Sequence, residues 1–384
     1  MRQLYATPRT RTRTAARLAD GRQVPQLDED LPAEVHRELA AFLADKTDEA
    51  GQVDPRFVAL VDSLTDFVLG GGKRLRPTFA WWGWRGAGGS PDGPEARAVL
   101  RAVSSLELVH ACALVHDDLM DDSTTRRGTP TVHVNFAARH RSAGLLGTPE
   151  RFGSAVAILL GDIALAWADD MLRGAGLWPD QLRRAHTVWQ AMRTELLAGQ
   201  YLDVLTQASG DEAPEAALRI DRYKTAAYTV ERPLHLGAAI GAAHPALVDA
   251  YRRFGADIGV AFQLRDDLLG MFGDPEVTGK PAGDDLREGK RTLLLAYGLR
   301  TADEQHRTAA ATLLRSAIGD PFVAQSTVAA VRELLVDLGA VAEIERRITE
   351  LTDSALTSLH AAELAEPAVT RLTELATQAT RRTW

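Results

Sequence analysis

Strand-like alternation of apolar and polar residues is absent over any long stretch of this chain of 384 residues, in which Ala, Leu, Arg and Glu predominate. Apolar residues recur instead at the three- and four-residue spacing that forms one face of an α-helix. The chain is therefore expected to be all-α. The pattern predicts helices over residues 31–46, 54–70, 73–85, 94–121, 132–140, 151–173, 178–207, 214–232, 234–242, 246–273, 290–299, 303–317, 321–338, 340–362 and 366–381.

The breaks between these helices are rich in turn-forming residues, and none has the composition of an interdomain linker. The sequence therefore predicts one helical domain over residues 29–384, preceded by a leader over residues 1–28. The leader is rich in Arg and poor in acidic residues, which is also typical of a transit peptide. We interpret it as a flexible polar segment, because it has too few apolar residues to form a core.

Composition excludes several classes of function. The 44 Lys and Arg residues and 52 Asp and Glu residues give a formal charge of −8, which disfavours nonspecific binding to nucleic acid. Cys112 is the only cysteine, so a disulfide framework is excluded and a cysteine-based zinc site is disfavoured. The most apolar stretch, residues 155–168, contains Asp162, and no apolar run is expected to be long enough to span a membrane. We expect a cytoplasmic protein.

A first acidic motif follows a largely apolar helical run, with the sequence Val115-His-Asp-Asp-Leu-Met-Asp-Asp. Asp117 and Asp121 are four residues apart, which places them on the same helix face. Two carboxylates at the end of a buried helix repel each other and lose solvation, and a hard divalent cation relieves both costs. The motif therefore indicates a magnesium site, although a solvated acidic helix end has the same pattern.

A second acidic motif, Phe262-Gln-Leu-Arg-Asp-Asp-Leu-Leu-Gly, also follows an apolar helical run. A loop rich in Gly and acidic residues comes next, and it contains Lys280 and Lys290. Glycines permit close approach of the backbone to a ligand, and the two lysines are suited to phosphate. An ordinary acidic loop is the alternative interpretation.

Three basic segments complete the pattern. Gly70-Gly-Gly-Lys-Arg-Leu-Arg-Pro lacks the spacing of a P-loop but has the composition of an anion-binding turn at a helix start. Arg126 and Arg127 follow the first acidic motif, and Lys224-Thr225 lies about 100 residues further on. Solvated turns and surfaces are the alternative for each segment. Acidic clusters together with several basic segments favour metal-assisted chemistry on diphosphates.

In their order along the chain, these segments resemble the motifs of the trans-isoprenyl diphosphate synthase family, which includes geranylgeranyl diphosphate synthases. The resemblance extends over roughly residues 30–380. It implies an isoprenoid-synthase-type bundle of antiparallel helices around a deep central cavity, assembled as a homodimer. It also implies a magnesium-dependent prenyltransferase that joins isopentenyl diphosphate to dimethylallyl, geranyl or farnesyl diphosphate. The matching segments are Gly71–Pro77, Asp117–Asp121 with Arg126–Gly128, Lys224–Thr225, Phe262–Gln263 with Asp266–Asp267, and Gly279–Thr292.

The resemblance also implies roles for individual residues. About three magnesium ions per active site are expected. The expected metal ligands are Asp117, Asp121 and Asp266, and the expected catalytic residues are these three with Asp118, Lys224 and Asp267. The expected contacts to the allylic diphosphate are Arg126, Lys224, Gln263 and Lys280, with Thr225 and Lys290 as further substrate-binding residues. The expected contacts to isopentenyl diphosphate are Lys73, Arg76, His110 and Arg127, although His110 alone also fits a buried helical polar residue.

One position departs from the family pattern. The second motif of the family ends on an aspartate, where this chain has Gly270. Either Asp274 replaces that acid, or the second motif of this chain has one carboxylate fewer than the family pattern.

Product length is expected to depend on the region beneath the first motif. Ala113 lies one turn before Asp117, about 6 Å deeper along a helix that rises ~1.5 Å per residue. Relatives with short products commonly have a bulky aromatic residue here, whereas this chain has Cys112 and Ala113. We therefore expect geranylgeranyl diphosphate (C20), with farnesyl or longer polyprenyl diphosphates as alternatives.

Two rival interpretations remain. A class I terpene cyclase shares the fold and the first motif, but the Lys280–Thr292 loop and the Gly-Lys-Arg-Leu-Arg-Pro segment favour a synthase. A noncatalytic partner subunit of a synthase is the non-enzymatic alternative. Such a subunit is expected to have lost acidic or basic site residues, and nearly all of them are present.

Overall fold

The computed structural model describes residues 27–126, 128–273 and 283–381. Helices dominate this part of the chain, which confirms the predicted all-α class. The first half contains α1 (Leu31–Val53), α2 (Val58–Leu69), α3 (Leu75–Gly86), α4 (Gly93–Ser104), α5 (Leu106–Met120), α6 (Val132–Ser142), α7 (Pro149–Arg173) and α8 (Pro179–Ser209). The second half contains α9 (Pro214–Ile220), a π-helix (Asp221–Glu231), α10 (Arg232–Ile240), α11 (Pro245–Phe272), α12 (Asp284–Arg287), α13 (Leu293–Glu304), α14 (Thr308–Ala317), α15 (Gln325–Asp337), α16 (Ala340–His360) and α17 (Ala368–Thr380).

The helix predicted over residues 94–121 is divided into α4 and α5 at two buried serines. The hydroxyl groups of Ser104 and Ser105 donate to the carbonyl oxygens of Leu100 and Ala102, at 2.8 and 2.6 Å. Such hydroxyls compete with the helical backbone hydrogen bonds and bend a helix. The break gives α5 its own direction, and α5 ends at the first acidic motif.

The helix predicted over residues 214–232 changes character part of the way along. It begins as α9 and continues as a π-helix from Asp221 to Glu231. π-Helical turns are rare and often occur at functional sites. This segment packs between α8 and α11, and it contains Lys224 and Thr225.

The helix predicted over residues 303–317 is also interrupted, because α13 extends to Glu304 and α14 begins at Thr308. A short antiparallel ribbon was not predicted. It pairs β1 (Thr125–Arg126) with β2 (Thr129–Pro130), in the register Thr125 with Pro130 and Arg126 with Thr129. The ribbon follows the first acidic motif directly and fixes the backbone of Arg126 next to it.

Two hydrophobic clusters form the interior, and α11 contributes to both. Phe254 and Ile258 belong to the larger cluster, which includes Trp81 and Trp189. Leu264 and Leu268, further along α11, belong to the cluster formed with the C-terminal helices. A long helix that crosses both clusters holds the two halves of the described chain together.

The segment Gly93–Met120 is apolar and long enough to cross a membrane by length and composition, which corrects the expectation that no run reaches that length. However, 78% of its most apolar window is buried inside the protein, as in the core helix of a globular domain. The segment therefore does not indicate a membrane span. The cytoplasmic location stays a prediction.

Residues 1–26 of the predicted leader lie outside the described residues. Its last two residues already pack against the helical body. Leu27 is buried, and the carboxylate of Asp28 accepts hydrogen bonds from Trp81 and Arg85. The domain boundary at residue 28 stays a prediction.

Candidate active site

A cavity of about 760 Å³ lies between α3, α5, α8, the π-helix and α11. It has both charged and apolar walls. The acidic lining residues are Glu107, Asp117, Asp203, Asp221, Asp266, Asp267, Asp284 and Asp285. The basic ones are Lys73, Arg74, Arg76, His110, Arg126, Lys224, Lys290 and Arg291. The apolar ones include Phe67, Leu75, Ala113, Leu114, Leu196, Ile220 and Phe262.

Asp117 projects into this cavity from the last turn of α5. Its Oδ1 accepts hydrogen bonds from Nζ of Lys224 at 2.8 Å and from Nε2 of Gln200 at 3.0 Å. Burial by itself raises the pKa of Asp117, but the charges of Lys224, Lys290 and Arg126 outweigh burial and lower this pKa to about 2. Asp117 is therefore a carboxylate at any physiological pH and is ready to bind a cation.

Asp121 is the C-cap of α5, one turn beyond Asp117. Burial and the negative charge of Asp117 raise its pKa to about 6, although Lys290 opposes this shift. Nζ of Lys290 lies 3.2 Å from Oδ2 of Asp121. The two carboxylates of the motif thus repel each other, and each has a lysine beside it.

Asp118, between these two residues, has a different environment. It is only 2% exposed, and its carboxylate accepts hydrogen bonds from Nε and Nη2 of Arg126 at 2.6 to 2.8 Å. Arg126 also lies 4.0 Å from Asp117 and lines the cavity. In this geometry Asp118 orients the guanidinium group of Arg126 toward the first acidic motif.

The second acidic motif lies on α11, and both Asp266 and Asp267 line the cavity. Thr225 donates to Oε1 of Gln263 at 2.7 Å, and Nε2 of Gln263 donates to Oδ1 of Asp267 at 2.7 Å. Burial is the main cause that raises the pKa of Asp267, with the charges of Asp221 and Asp285 adding to it. The predicted pairs Lys224-Thr225 and Phe262-Gln263 therefore meet across the interface between the π-helix and α11.

Lys73 and Arg76 lie at the start of α3 and line the cavity, whereas Arg74 between them has a structural role. Arg74 adopts a left-handed conformation, with φ of 50°. This conformation turns its side chain inward, where it donates to Glu107 at 2.8 Å and to the carbonyl oxygen of Val68 at 2.7 Å. The buried pair of Arg74 and Glu107 fixes the turn that presents Lys73 and Arg76.

Arg76 and His110 share a neighbour in Tyr228, on the π-helix. The guanidinium carbon of Arg76 lies 4.2 Å from the centre of the Tyr228 ring, and Nη2 of Arg76 donates to Thr229 at 3.0 Å. The hydroxyl group of Tyr228 lies 3.3 Å from Nδ1 of His110. These contacts hold two of the predicted substrate-binding residues side by side on one wall of the cavity.

Sequence reasoning did not identify Gln200, Asp203 and Asp221 as site residues. Asp203 forms an ion pair with Lys224 and is buried, as is Asp221. The sequence feature that could have identified Gln200 and Asp203 is the short segment Gly199-Gln-Tyr-Leu-Asp203 on α8. Its glycine permits close packing against another helix. A Cβ at Gly199 would lie only 2.2 Å from the backbone nitrogen of Lys224, so only glycine permits this approach.

The two small residues predicted for product length have different surroundings. Ala113 lines the cavity together with Leu114. Cys112 belongs to the core, and its Sγ lies 3.7 Å from Nδ1 of His116 on the same helix. Arg127, Asp274 and Lys280 lie outside the described residues, and their roles stay predictions.

The carboxylates of the cavity fit magnesium better than they fit a metal whose ligands all come from the protein. No three His, Cys, Asp or Glu side chains within residues 27–126, 128–273 and 283–381 form a ready-made metal shell. Magnesium needs only one or two carboxylates, because water and phosphate oxygens complete its shell. Buried Asp221 and Asp267 each have an Oδ2 atom without a hydrogen-bond partner, as expected where a cation is to be attracted.

Comparisons with known proteins agree with this geometry. The family model described as "Polyprenyl synthetase" matches residues 58–335. The geranylfarnesyl diphosphate synthase of Aeropyrum pernix is 34% identical over 283 residues, which cover 73% of this chain and 80% of that protein. The (2E,6E)-farnesyl diphosphate synthase of Mycobacterium tuberculosis is 34% identical over 286 residues, covering 73% of each chain.

Solved structures extend the similarity to nearly the whole chain. A geranylgeranyl pyrophosphate synthase from Corynebacterium glutamicum, complexed with isoprenyl diphosphate and magnesium, has a TM-score of 0.89 and 45% identity. The match covers 92% of this chain and 99% of that one. A polyprenyl synthase from Caulobacter crescentus, complexed with calcium and isoprenyl diphosphate, has a TM-score of 0.73 and 27% identity, covering 93% and 95%.

Proposed function

Because this chain belongs to the polyprenyl synthetase family and is a trans-prenyl diphosphate synthase, we propose that its main product is geranylgeranyl diphosphate. It forms this product from isopentenyl diphosphate and an allylic diphosphate. The observation that supports the proposal is the cavity in which carboxylates, phosphate-binding cations and a long apolar wall occur together. Each of the three is needed for a different part of the reaction.

At the acidic end, Asp117, Asp121 and Asp266 would hold about three magnesium ions, which when bound neutralise the leaving diphosphate. Lys224 and Arg126 donate hydrogen bonds to the oxygens of that diphosphate, where negative charge builds up as the allylic C–O bond breaks. Gln263 lies between Thr225 and Asp267, which fixes its amide group for the same diphosphate. Lys280 and Lys290 add positive charge from the following loop.

At the basic end, Lys73, Arg76 and His110 bind the diphosphate of isopentenyl diphosphate. Arg127 stays a predicted contact to the same diphosphate. The double bond of this substrate donates its electron pair to the allylic carbon and forms the new C–C bond. A proton then leaves the adjacent carbon, and the released diphosphate accepts it. Phe67, Leu75 and the other apolar lining residues keep water from the reacting carbons.

Ala113 supports a C20 product, because a small residue there leaves the apolar wall open beneath the first acidic motif. The relatives named above include synthases of shorter and longer products, so their names do not decide the product length. The growing chain extends past Ala113 until it contacts the deeper residues of the wall. Farnesyl or longer polyprenyl diphosphates are the alternative products.

One incubation tests the proposed activity, primer and product together. Purified protein is supplied with magnesium, labelled isopentenyl diphosphate and, separately, dimethylallyl, geranyl or farnesyl diphosphate. We expect labelled geranylgeranyl diphosphate with at least one primer, and none when EDTA replaces magnesium. A main product of another length would contradict the C20 proposal. Absence of product with every primer would favour a noncatalytic subunit, and release of a hydrocarbon would indicate a cyclase.

We also propose that the chain forms a homodimer through exposed apolar residues of α7 and α8. Leu197, Tyr201 and Leu205 lie on one face of α8 and are 45–65% exposed. Ile158 and Leu159 on α7 are similarly exposed. Large exposed apolar surfaces are unusual on monomers.

Light scattering is expected to give twice the mass of the chain. The double variant Tyr201→Asp with Leu205→Asp is expected to give a monomer. A monomeric wild-type protein would contradict this proposal.

A further inference from the structure

Arg265 lies inside the second acidic motif, directly before Asp266, but it has no role in the reaction described above. Its side chain is buried, and it is not one of the residues that line the cavity. Arginine is seldom buried unless its charge is paired. The partners of Arg265 therefore indicate which parts of the fold it connects, and they belong to the two C-terminal helices.

The guanidinium group of Arg265 joins α11 to both of these helices. Nη1 and Nη2 donate to the two carboxylate oxygens of Glu345 on α16, each at 2.6 Å. Nε donates to the carbonyl oxygen of Thr380, the last residue of α17, at 2.9 Å. The final carbonyl groups of a helix have no partner within the helix and lie at the negative end of its dipole. The buried guanidinium group is therefore a favourable cap for α17.

These contacts also fix the position of the acidic motif. Consecutive residues of a helix project about 100° apart, so Arg265 and Asp266 face different sides of α11. Asp266 lines the cavity, whereas Arg265 is held against α16 and α17. A rotation of α11 that moved Asp266 would have to break both the bidentate pair with Glu345 and the cap of α17.

Another polar contact between α11 and α16 lies away from the motif. Ser354 on α16 donates to Oδ2 of Asp257 at 2.7 Å, and this contact is exposed. Asp257 precedes Arg265 by about two helical turns, at 3.6 residues per turn. The pair of helices is thus joined at two points, and only the contact made by Arg265 adjoins the residues that face the cavity.

We propose that Arg265 is a positioning residue for the magnesium site, because it ties the second acidic motif to α16 and α17 from outside the cavity. Glu345 and the carbonyl end of α17 act through Arg265. No described residue of α16 or α17 lines the cavity, so these helices support the site without contacting substrate. This inference depends on the proposed function, since it takes Asp266 as a magnesium ligand.

The test measures the magnesium requirement without turnover. Thermal unfolding is followed while magnesium is titrated in the presence of inorganic pyrophosphate. Arg265→Met and Glu345→Gln are expected to need about tenfold more magnesium for half of the stabilisation, as is typical when a supporting residue of a metal site is lost. Arg265→Lys keeps the charge but not the planar geometry, so its requirement should lie between those of wild type and Arg265→Met. Glu345 is 37% exposed, so Glu345→Gln provides the result even if Arg265→Met does not fold.

Arg184→Ala and Ser354→Ala are the matched controls. Arg184 donates to the carbonyl oxygens of Ala239 and Ile240 at 2.7 and 2.8 Å, so it caps the end of α10 as Arg265 caps α17. Both controls are expected to lower the unfolding temperature without magnesium. Their magnesium requirement should stay within about twofold of wild type, because neither contact adjoins the acidic motif.

Steady-state kinetics give a second measurement. At a magnesium concentration that half-stabilises the wild-type protein, Glu345→Gln and Arg265→Lys are expected to raise KM for the allylic diphosphate severalfold. KM for isopentenyl diphosphate should stay within about twofold, since Lys73 and Arg76 lie at the start of α3 rather than on α11. A general loss of folded protein would lower kcat and leave both KM values unchanged.

The outcomes separate this inference from the proposed function. If magnesium and pyrophosphate do not stabilise the wild-type protein, the proposed diphosphate site is wrong. If they do, and the Arg265 and Glu345 variants keep the magnesium requirement of the controls, Arg265 only stabilises the fold and the inference is wrong. An equal rise of both KM values would also overturn it.

Discussion

The ammonium nitrogen of Lys224 lies 2.8 Å from Oδ1 of Asp117, although the two residues are 107 positions apart in the sequence. Burial alone lowers the pKa of Lys224, but the charges of Asp117 and Asp203 outweigh it, so this pKa is raised. Lys224 therefore remains a cation inside the cavity. It neutralises Asp117 while the site is empty and is in place for the diphosphate when substrate arrives.

Replacing Lys224 by Ala is expected to lower kcat/KM by about 10²–10³-fold, the usual loss when one charge-stabilising donor is removed. Lys224→Arg should retain part of the activity because it keeps the charge. Lys46→Ala is the control, since Lys46 lies among Phe42 and Trp167 rather than at the cavity. Steady-state kinetics measure the effect, and activity within threefold of wild type would argue against the role of Lys224.

Ala113→Phe is expected to shorten the main product, because an aromatic side chain would block the wall of the cavity below Asp117. Chromatography of the dephosphorylated products measures chain length. Cys112→Ala serves as the comparison, since Cys112 packs in the core beside His116 and its truncation blocks nothing. If Ala113→Phe still makes the wild-type product, Ala113 does not set the product length.

Asp221 should make the metal-free protein less stable at higher pH. Burial and the charge of Asp203 raise its pKa from 3.8 to about 8. The folded state therefore keeps a proton that the unfolded chain releases, so the free energy of unfolding falls as pH rises through this range. Asp221→Asn cannot ionise at this position. The unfolding temperature of the variant minus that of wild type should therefore be higher at pH 8 than at pH 5.

Thermal unfolding in EDTA at both pH values measures this difference. Any fixed cost of introducing the amide cancels when the two pH values are compared. Asp249→Asn, an exposed carboxylate, should give the same difference from wild type at both pH values. If the difference between Asp221→Asn and wild type were also the same at both pH values, Asp221 would already be ionised in the folded protein.

Gly199→Ala is expected to lower the free energy of unfolding by about 1–3 kcal/mol, the usual cost of overpacking. The activity is expected to fall by more than the loss of folded protein accounts for. The added Cβ would lie 2.2 Å from the backbone nitrogen of Lys224 and push the π-helix away from α8. Gly51→Ala is the matched control in a helix, where the nearest atom would be 3.7 Å away. Chemical denaturation and kinetics provide the two measurements. Equal behaviour of the two variants would show that the close approach at Gly199 is not required.

The sequence alone determined the helical class, the two acidic motifs and most of the basic residues, because each depends on local spacing or on a short motif. Asp117 and Asp121 share a face on any helix. Likewise, the absence of an acid at Gly270 is visible in the sequence itself.

Only the tertiary structure decided which distant groups meet. The break at Ser105, the π-helix around Lys224 and the left-handed Arg74 arise from packing and from hydrogen bonds that no local pattern specifies. The same holds for Asp285, whose carboxylate lies over Gly270 because a turn 13 to 15 residues later is hydrogen-bonded back onto α11. Spacing predicts neighbours along one helix, whereas contacts between helices depend on how closely their backbones approach.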